Sequence, residues 1–189
     1  GHHHPNDEDA SEAVRLRLRL RTAPPLGGQR QLRCAGGGHR IFNLVAGDGD
    51  DRLRLMKKAQ MLGVAEQVVF AGMISEADKA DYFRLADAFV MPGRGEGFGF
   101  VFLEALACGV PAVGSRLDGS REALRGGELG ELADPTDPAT VRACIVRALG
   151  KPHGIPLGLS YFDWPQFQNR LVAAAHLVIP NEARRPTTP

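Results

Sequence analysis

Hydrophobic positions change their period repeatedly along the chain after residue 40. Short runs of consecutive apolar residues alternate with longer segments in which apolar residues return every three or four positions. The short runs are typical of buried strands, and the wider spacing is typical of helices with one buried face. Parallel neighbouring strands need crossover connections, which helices provide on both faces of a sheet. The pattern therefore predicts an α/β fold built on a doubly wound parallel sheet.

The predicted strands share a short apolar run that ends in turn-forming residues, and they cover residues 41–46, 68–70, 88–91, 110–114 and 130–132. The predicted helices share apolar residues at helical spacing or a capping residue at their start, and they cover residues 53–62, 100–108, 121–124, 137–150 and 162–178, with a further helix after Ser75. Ser75 and Asp137 are predicted helix caps, and Gly63 is placed to end a helix in a left-handed conformation. Ligands of such sheets bind at the carboxyl ends of the strands.

The last predicted helix, residues 162–178, carries Phe167, Leu171, Val172 and Ala175 on one face. An apolar stripe of this kind normally faces a core. We therefore expect this helix to pack back onto the domain. Residues 179–189 are polar and rich in proline, and we expect a flexible tail there.

Residues 1–40 lack helical spacing and are predicted to be irregular or to hold a partial strand. Only residues 14–21 are patterned, with arginine and leucine alternating in strict period two, which suits a half-buried edge strand. A basic arm for nucleic acid is the weaker interpretation because acidic residues lie just upstream and aromatic residues are absent. Residues 41–178 then form one Rossmann-like domain.

Composition narrows the classes of partner. The 23 basic and 22 acidic side chains leave a net charge of +1, so no global field attracts nucleic acid or an anionic membrane. No apolar stretch is long enough for a transmembrane segment, and no signal peptide is evident, so a soluble protein is expected. Cys34, Cys108 and Cys144 lack metal-ligand spacing and cannot all pair, which predicts reduced thiols and a cytoplasmic location.

A glycine-rich segment, residues 92–99, follows a predicted strand and opens directly into a helix. The free amides of such a turn and the positive end of the helix converge, which makes an anion site. Glycines at Gly95, Gly97 and Gly99 would let a diphosphate or a sugar approach the backbone closely. Glycine-rich turns also occur for packing reasons alone, so both interpretations stay open at this point.

Glu104 is a carboxylate in the middle of the apolar helix 100–108. A buried carboxylate needs hydrogen-bond donors because burying it unpaired costs several kcal/mol. Other side chains of the protein and the hydroxyls of a ribose or hexose are equally good candidates for those donors. Asp48 and Asp50 flank Gly49 in an Asp-x-Asp pattern, but they end a strand, where a turn is the expected role, and no metal site is predicted.

The residues 96–99 and 104–111, reading Glu-Gly-Phe-Gly and Glu-Ala-Leu-Ala-Cys-Gly-Val-Pro, resemble the paired-glutamate signature of family four retaining glycosyltransferases with the GT-B architecture. Further segments fall in that family's order, at residues 45–49, 69–72, 86–92 and 119–124, so that the resemblance covers about residues 41–149. It implies the Rossmann-like carboxy-terminal half of a GT-B enzyme, which binds the nucleotide-sugar donor.

The resemblance also implies roles for single residues. Glu96 would be the catalytic residue that holds hydroxyls of the donor sugar, and Glu104 would bind the ribose. The amides of Gly97, Phe98 and Gly99 would take the phosphates of the donor.

Two more residues lie where the resemblance places donor contacts. Arg94 either reaches the phosphates or points into solvent. Glu122, next to Arg121, either faces the donor or forms an exposed pair at the start of a helix. The departing diphosphate gains negative charge, which fixed amide dipoles stabilise, so no metal ion and no cofactor are expected.

An amino-terminal acceptor domain is the part of the family's enzyme that residues 1–40 are too short to supply. The expected function is hexosyl transfer from a nucleoside diphosphate sugar, with the chain as the donor half and a separate domain for the acceptor. One alternative is a non-catalytic nucleotide-sugar-binding or interaction module, and a second is a fragment of a nucleotide-sugar epimerase. An uncovered cleft face would also favour a homo-oligomer.

Overall fold

The computed structural model describes residues 14–19 and 41–178, and within them strands and helices alternate along the chain. The strands are β1 (Val14–Arg19), β2 (Ile41–Ala46), β3 (Val68–Gly72), β4 (Ala88–Val90), β5 (Ala112–Ser115) and β6 (Glu131–Ala133). The helices are α1 (Arg52–Met61), α2 (Glu76–Arg84), α3 (Phe100–Ala107), α4 (Ser120–Ala123), α5 (Pro138–Gly150) and α6 (Trp164–Val178). Short 3-10 turns lie at Ala65–Gln67, Arg125–Gly127 and Leu157–Phe162.

The strands form one sheet in the order β3-β2-β1-β4-β5-β6. β2 pairs in parallel with β3, β4 with β5, and β5 with β6. A helix connects the strands of each parallel pair, as the crossover rule requires. The predicted α/β fold with a parallel sheet is thereby confirmed for the strands from β2 onward.

β1 departs from the prediction in its position and its direction. The strand itself is confirmed, but it lies between β2 and β4 and pairs antiparallel with both, with Leu16 opposite Leu44 and Phe89. The prediction of an edge strand is therefore wrong. The alternation of arginine and leucine indicates that the strand has one polar and one apolar face. It does not indicate whether the strand pairs with one neighbouring strand or with two. Pairing on both sides satisfies more of the strand's backbone donors and acceptors than an edge would.

Alternate residues of the central strands enter two cores on opposite faces of the sheet. Phe89 and Ala112 belong to the core that α3 covers, whereas Ala88 and Val113 belong to the core that α5 covers. This follows from the two-residue period of a strand. On the α3 side, three fully buried rings join α2, β4 and α3: the centroids of Phe83 and Phe89 are 5.5 Å apart, and those of Phe89 and Phe102 are 5.3 Å apart. The edge-to-face geometry is favourable for aromatic pairs.

The predicted helix boundaries rest on identifiable contacts. Ser75 Oγ accepts a hydrogen bond from the Asp78 amide at 3.2 Å, and Asp137 Oδ1 accepts one from the Ala139 amide at 2.9 Å. Gly63, with φ of 66°, donates to the Gln60 carbonyl at 2.9 Å after α1 ends. All three predictions of capping residues are confirmed. Each one depends on a local interaction, which a sequence pattern reports well.

The expected packing of α6 onto the domain is wrong. Its large apolar side chains from Trp164 to Leu177 are exposed, with fractions between 46% at Phe167 and 88% at Leu177. Its contact with the rest of the described chain includes Arg170, which donates to the Tyr161 carbonyl at 2.7 Å and lies over the Tyr161 ring at 3.8 Å. The helix α1 behaves similarly, since Leu53 is exposed and only Ala59 is buried. An apolar stripe predicts a helix without naming the element that covers it.

Candidate functional site

Two loops meet at the carboxyl ends of neighbouring parallel strands. The β4–α3 loop, residues 91–99, follows β4, and the β5–α4 turn, residues 116–119, follows β5. The Met91 amide donates to the Val113 carbonyl at 2.9 Å, which fixes the start of the first loop against β5. The predicted glycine-rich segment therefore lies at the edge of the sheet where ligands of doubly wound folds bind.

α3 starts at a glycine that its surroundings require. Gly99 is the N-cap residue with φ of 91° and ψ of 58°, and no side chain among the described residues caps the helix. A Cβ at this position would lie 2.5 Å from Cδ2 of the buried Phe102 ring. The left-handed conformation and the close ring both favour glycine. A helix that starts without a side-chain cap leaves its first amides for water or a ligand.

Glu96 is held on both sides of its backbone by the β5–α4 turn. Its amide lies 3.4 Å from Oδ2 of Asp118, and its carbonyl accepts a hydrogen bond from the Gly119 amide at 2.8 Å. Its half-buried side chain turns back on its own loop, where Oε1 accepts from the Phe98 amide at 3.3 Å. The carboxylate thus accepts from the Phe98 amide, one of the three amides that were predicted to bind phosphate.

The glycines of the site fall into two groups. A Cβ at Gly119 would lie 1.9 Å from the Gly97 carbonyl oxygen, so the two backbones touch and only glycine fits. By contrast, a Cβ at Gly95 or Gly97 would meet nothing within 4 Å. The backbone of Gly97 is also exposed. The fold therefore leaves open space beside the β4–α3 loop where a ligand can approach the chain.

Glu104 forms an ion pair with Lys79 of α2. Lys79 Nζ lies 3.2 Å from Oε1 and 3.1 Å from Oε2, and it also donates to Glu76 at 3.2 Å. Of the two Glu104 oxygens, only Oε1 accepts a hydrogen bond of good geometry, while Oε2 is itself buried and has no hydrogen-bond partner among the described residues. Lys79 therefore balances the charge of Glu104 but leaves one acceptor oxygen unused.

The side chain of Lys79 stays charged in this setting. Burial disfavours the ammonium, but hydrogen bonds to Glu104 and Glu76 outweigh that effect and raise the pKa of Lys79. Sequence reasoning missed this residue because Glu104 lies on another helix, 25 positions away. The only local signal was the pairing of Lys79 with Glu76 at helical spacing, which is common on exposed helix faces.

Glu104 is less buried than the apolar sequence of α3 predicted. Its side chain is 41% exposed, because α3 turns Val101, Phe102, Ala105 and Leu106 to the core and leaves Phe100 and Glu104 on the opposite side. Phe100 and Glu104 are one turn apart, about 6 Å along the helix axis. Of the two kinds of donor proposed for Glu104, a side chain of the protein is present, and its binding of a ribose stays a prediction.

The remaining predicted site residues lie around this centre. Phe98 packs its half-buried ring on Phe100 and Phe162, with centroids 5.1 and 5.8 Å apart, so its side chain has a structural role. Arg94 is exposed in the β4–α3 loop, and Glu122 is exposed on α4. The predicted functions of these side chains stay predictions, since exposure is compatible with either interpretation.

Other predicted features can be placed in the same way. Asp48 Oδ1 accepts from the Gly49 amide at 2.9 Å and Oδ2 lies 3.2 Å from Arg52, which is the turn role expected for this segment. Cys108 and Cys144 are free thiols, and Cys34 lies outside the described residues. In the part of the chain that the structure describes, no helix is long and apolar enough to cross a membrane.

Comparison with known proteins places the chain among its relatives. Residues 32–153 match the family described as "Glycosyl transferases group 1". The chain is 38% identical over 118 residues to the D-inositol 3-phosphate glycosyltransferase of Thermomonospora curvata, covering 60% of this chain and 27% of the relative. It is 37% identical over 128 residues to the GDP-mannose-dependent alpha-(1-6)-phosphatidylinositol monomannoside mannosyltransferase of Mycolicibacterium smegmatis, covering 64% of this chain and 34% of the relative.

A solved structure agrees with these relatives. The sucrose-phosphate synthase of Thermosynechococcus elongatus superposes with a TM-score of 0.57 at 27% identity, over 69% of this chain and 38% of the synthase. The chain thus spans about a third of the length of the relatives it matches. The matched residues include both loops of the site and both glutamates. The chain belongs to the glycosyl transferases group 1 family, with the GT-B fold of its structural neighbours.

Proposed function

We propose that this chain is the donor-binding half of a retaining glycosyltransferase that transfers a hexosyl group from a nucleoside diphosphate sugar without a metal ion. The observation that carries the proposal is the β4–α3 loop, in which Glu96 and the exposed Gly97 precede a helix start without a side-chain cap, with Glu104 one turn into α3. This arrangement combines an anion site with two carboxylates that accept hydrogen bonds from hydroxyl groups.

The diphosphate of the donor binds at the start of α3. Amides of the first turn and the positive end of the helix favour a group whose charge grows as the glycosidic bond breaks. The open space beside Gly97 lets phosphate oxygens come within hydrogen-bond distance of the backbone. Fixed dipoles of this kind stabilise a leaving diphosphate without a metal ion, because they need no reorganisation during the reaction.

Glu104 binds the ribose of the nucleotide. A ribose diol offers two hydroxyl donors, which match the two acceptor oxygens of a carboxylate. Oε2 is buried and has no hydrogen bond among the described residues, so the Glu104 side chain, which is 41% exposed, rotates to present this oxygen to a ribose hydroxyl. A buried acceptor without a donor is costly, and the ligand removes that cost.

Glu96 acts on the sugar. It lies in the β4–α3 loop. Its carboxylate accepts hydrogen bonds from hydroxyls of the hexose and stabilises the positive charge that develops on the sugar ring. The relative from Mycolicibacterium smegmatis is named as GDP-mannose-dependent, and that from Thermomonospora curvata as a glycosyltransferase acting on D-inositol 3-phosphate. The first of these names supports a nucleotide sugar as donor. The acceptor is bound by a separate acceptor domain, and the protein acts in the cytoplasm.

The first test is calorimetric titration with UDP, GDP and ADP and with their common sugar conjugates. We expect one nucleotide to bind, and Glu104→Gln to weaken it about tenfold to a hundredfold, as the loss of a charged hydrogen bond does. Glu96→Gln should leave the affinity for the nucleoside diphosphate unchanged and remove the preference for its sugar conjugate. Glu128→Gln, at an exposed glutamate paired with Arg125, is the matched control.

Three outcomes would contradict parts of the proposal. If no ligand binds to a folded sample, the chain does not form a donor site by itself. If Glu104→Gln behaves like Glu128→Gln, Glu104 does not contact the nucleotide. Binding without transfer to any acceptor, in the presence of an acceptor domain, would support a non-catalytic binding module, and a change of sugar configuration without transfer would support an epimerase.

A further inference from the structure

Asp118 connects the β4–α3 loop to the interior of the sheet. Its Oδ2 lies 3.4 Å from the amide of Glu96, and its Oδ1 accepts from the Ser120 amide at 3.1 Å and from the Ser120 hydroxyl. Ser120 Oγ in turn accepts from the Ser115 amide at 2.8 Å at the end of β5. Ser115 and Ser120 are both fully buried. A chain of contacts therefore runs from β5 through Asp118 to Glu96.

The two loops also touch directly. The Gly119 amide donates to the Glu96 carbonyl at 2.8 Å, and the Cα of Gly119 packs so closely on the Gly97 peptide that no side chain fits between them. Residue 96 is thus held at its amide by Asp118 and at its carbonyl by Gly119. A carboxylate accepts hydrogen bonds on both oxygens, so Asp118 is suited to receive donors from two sides.

We propose that Asp118 is a positioning residue for Glu96 that fixes the β4–α3 loop in the geometry needed to recognise the donor sugar. The expected effect of Asp118 on sugar recognition rests on the proposed function, whereas its expected effect on the β4–α3 loop does not. Asp118 acts through the backbone of residue 96 and not by contacting the substrate. Small displacements of a group that holds a substrate reduce rates strongly, so a residue that fixes such a group affects sugar recognition without touching the sugar.

The chain contains a close structural match to this residue. Asp134, after β6, also accepts from the amide and hydroxyl of the residue two positions on, with Oδ1 2.9 Å and 2.7 Å from the Thr136 amide and Oγ1. Its Oδ2 accepts from Arg116 at 2.5 Å, where Asp118 instead faces the Glu96 amide. Asp134→Asn therefore reproduces the local change of Asp118→Asn without its contact to the β4–α3 loop.

Asp118→Asn is the informative substitution. Asparagine keeps the shape of aspartate but offers one acceptor oxygen, so either Glu96 or Ser120 must face an amide donor. We expect the Gly119 amide, which donates to the Glu96 carbonyl, to exchange about tenfold faster in NMR hydrogen exchange on the full chain, because the Glu96 amide loses its charge-assisted hydrogen bond and residue 96 is held less firmly. Asp134→Asn should leave this exchange rate unchanged. In titrations, Asp118→Asn should weaken the sugar conjugate more than the nucleoside diphosphate.

Each outcome decides the inference. An unchanged exchange rate at Gly119 in Asp118→Asn would overturn it, whatever the protein binds. If the wild type binds no nucleotide, the proposed function alone is refuted. The exchange measurement still tests whether Asp118 and Gly119 hold the backbone of residue 96. If Asp118→Asn does not fold, Ser120→Ala removes one of the donors to Asp118, and we then expect faster exchange at Gly119. Wild-type exchange in Ser120→Ala would then overturn the inference.

Discussion

Gly97 and Gly99 stand two positions apart in the β4–α3 loop, yet only Gly99 is required by the fold. Replacing each with alanine therefore separates a glycine that the backbone needs from one that a ligand needs. Gly99 has φ of 91°, and a Cβ there would lie 2.5 Å and 2.8 Å from two atoms of the Phe102 ring. Gly97 has no positive φ, and its Cβ would meet nothing within 4 Å.

The expected cost of Gly99→Ala has two sources. A left-handed backbone costs alanine about 1–2 kcal/mol. The contact with Phe102 adds about 1–3 kcal/mol of overpacking, since that ring is fully buried and cannot retreat into solvent. The sum, about 2–5 kcal/mol, is a large part of the 5–15 kcal/mol that stabilises a typical domain. Gly97→Ala should change the free energy of unfolding by less than about 0.5 kcal/mol.

Urea denaturation followed by circular dichroism measures the free energy of unfolding of each variant. Titration with the nucleotide that binds wild type measures the affinity of each variant for the ligand. We expect Gly99→Ala to lower the unfolding midpoint clearly. Gly97→Ala should keep the midpoint but weaken nucleotide binding, because its methyl group occupies the space beside the amides. Equal midpoints for the two variants would refute the steric reasoning at Gly99. Unchanged binding by a stable Gly97→Ala variant would refute the placement of the diphosphate beside Gly97.

Three further predictions concern stability. Gly119→Ala should destabilise the fold by about 2–4 kcal/mol in urea denaturation, through overpacking and the loss of a hydrogen bond, whereas Gly150→Ala, in open space on α5, should be neutral or slightly stabilising. Lys79→Met should cost about 1 kcal/mol in the same assay, because Glu104 loses its donor but is partly exposed to water. Hydrogen bonds from Thr136, together with the charge of Arg116, lower the pKa of Asp134 from 3.8 to about 2. The ionised Asp134 carboxylate therefore stabilises the fold fully above pH 3.8, and this stabilisation is lost as the pH falls towards 2. Asp134→Asn should remove that part of the pH dependence of the free energy of unfolding.

The parts of the site that the sequence predicts are those formed by neighbouring residues. The β4–α3 loop follows directly from a strand, a glycine-rich turn and a helix start, and each of these signals acts within a few positions. The Asp137 and Ser75 caps succeed for the same reason. Lys79 and Asp118 could not be found in this way, because their partners in the site are 25 and 22 positions away on other elements.

The predictions about the fold that were wrong share a different cause. Period two in β1 and period 3.6 in α6 are properties of one element, whereas the neighbours of that element are properties of the whole chain. β1 therefore forms as predicted but pairs on both edges, and α6 forms as predicted but leaves Trp164 and Leu177 exposed. A pattern indicates that a surface is apolar without indicating what covers it.

The glycines of the site show why a structure adds to a motif. In the sequence, Gly97 and Gly99 belong to the glycine-rich segment 92–99, and Gly119 begins the segment 119–124 of the resemblance. In the structure, Gly99 is explained by its φ and by the Phe102 ring, and Gly119 by the backbone of Gly97. Neither explanation needs a ligand. At Gly97 the fold supplies no reason for glycine, because a Cβ there would meet nothing within 4 Å, and the residue follows Glu96 directly in the β4–α3 loop. A function that brings a bulky anion to the backbone supplies that reason, so Gly97 is the glycine whose replacement best distinguishes donor binding from packing.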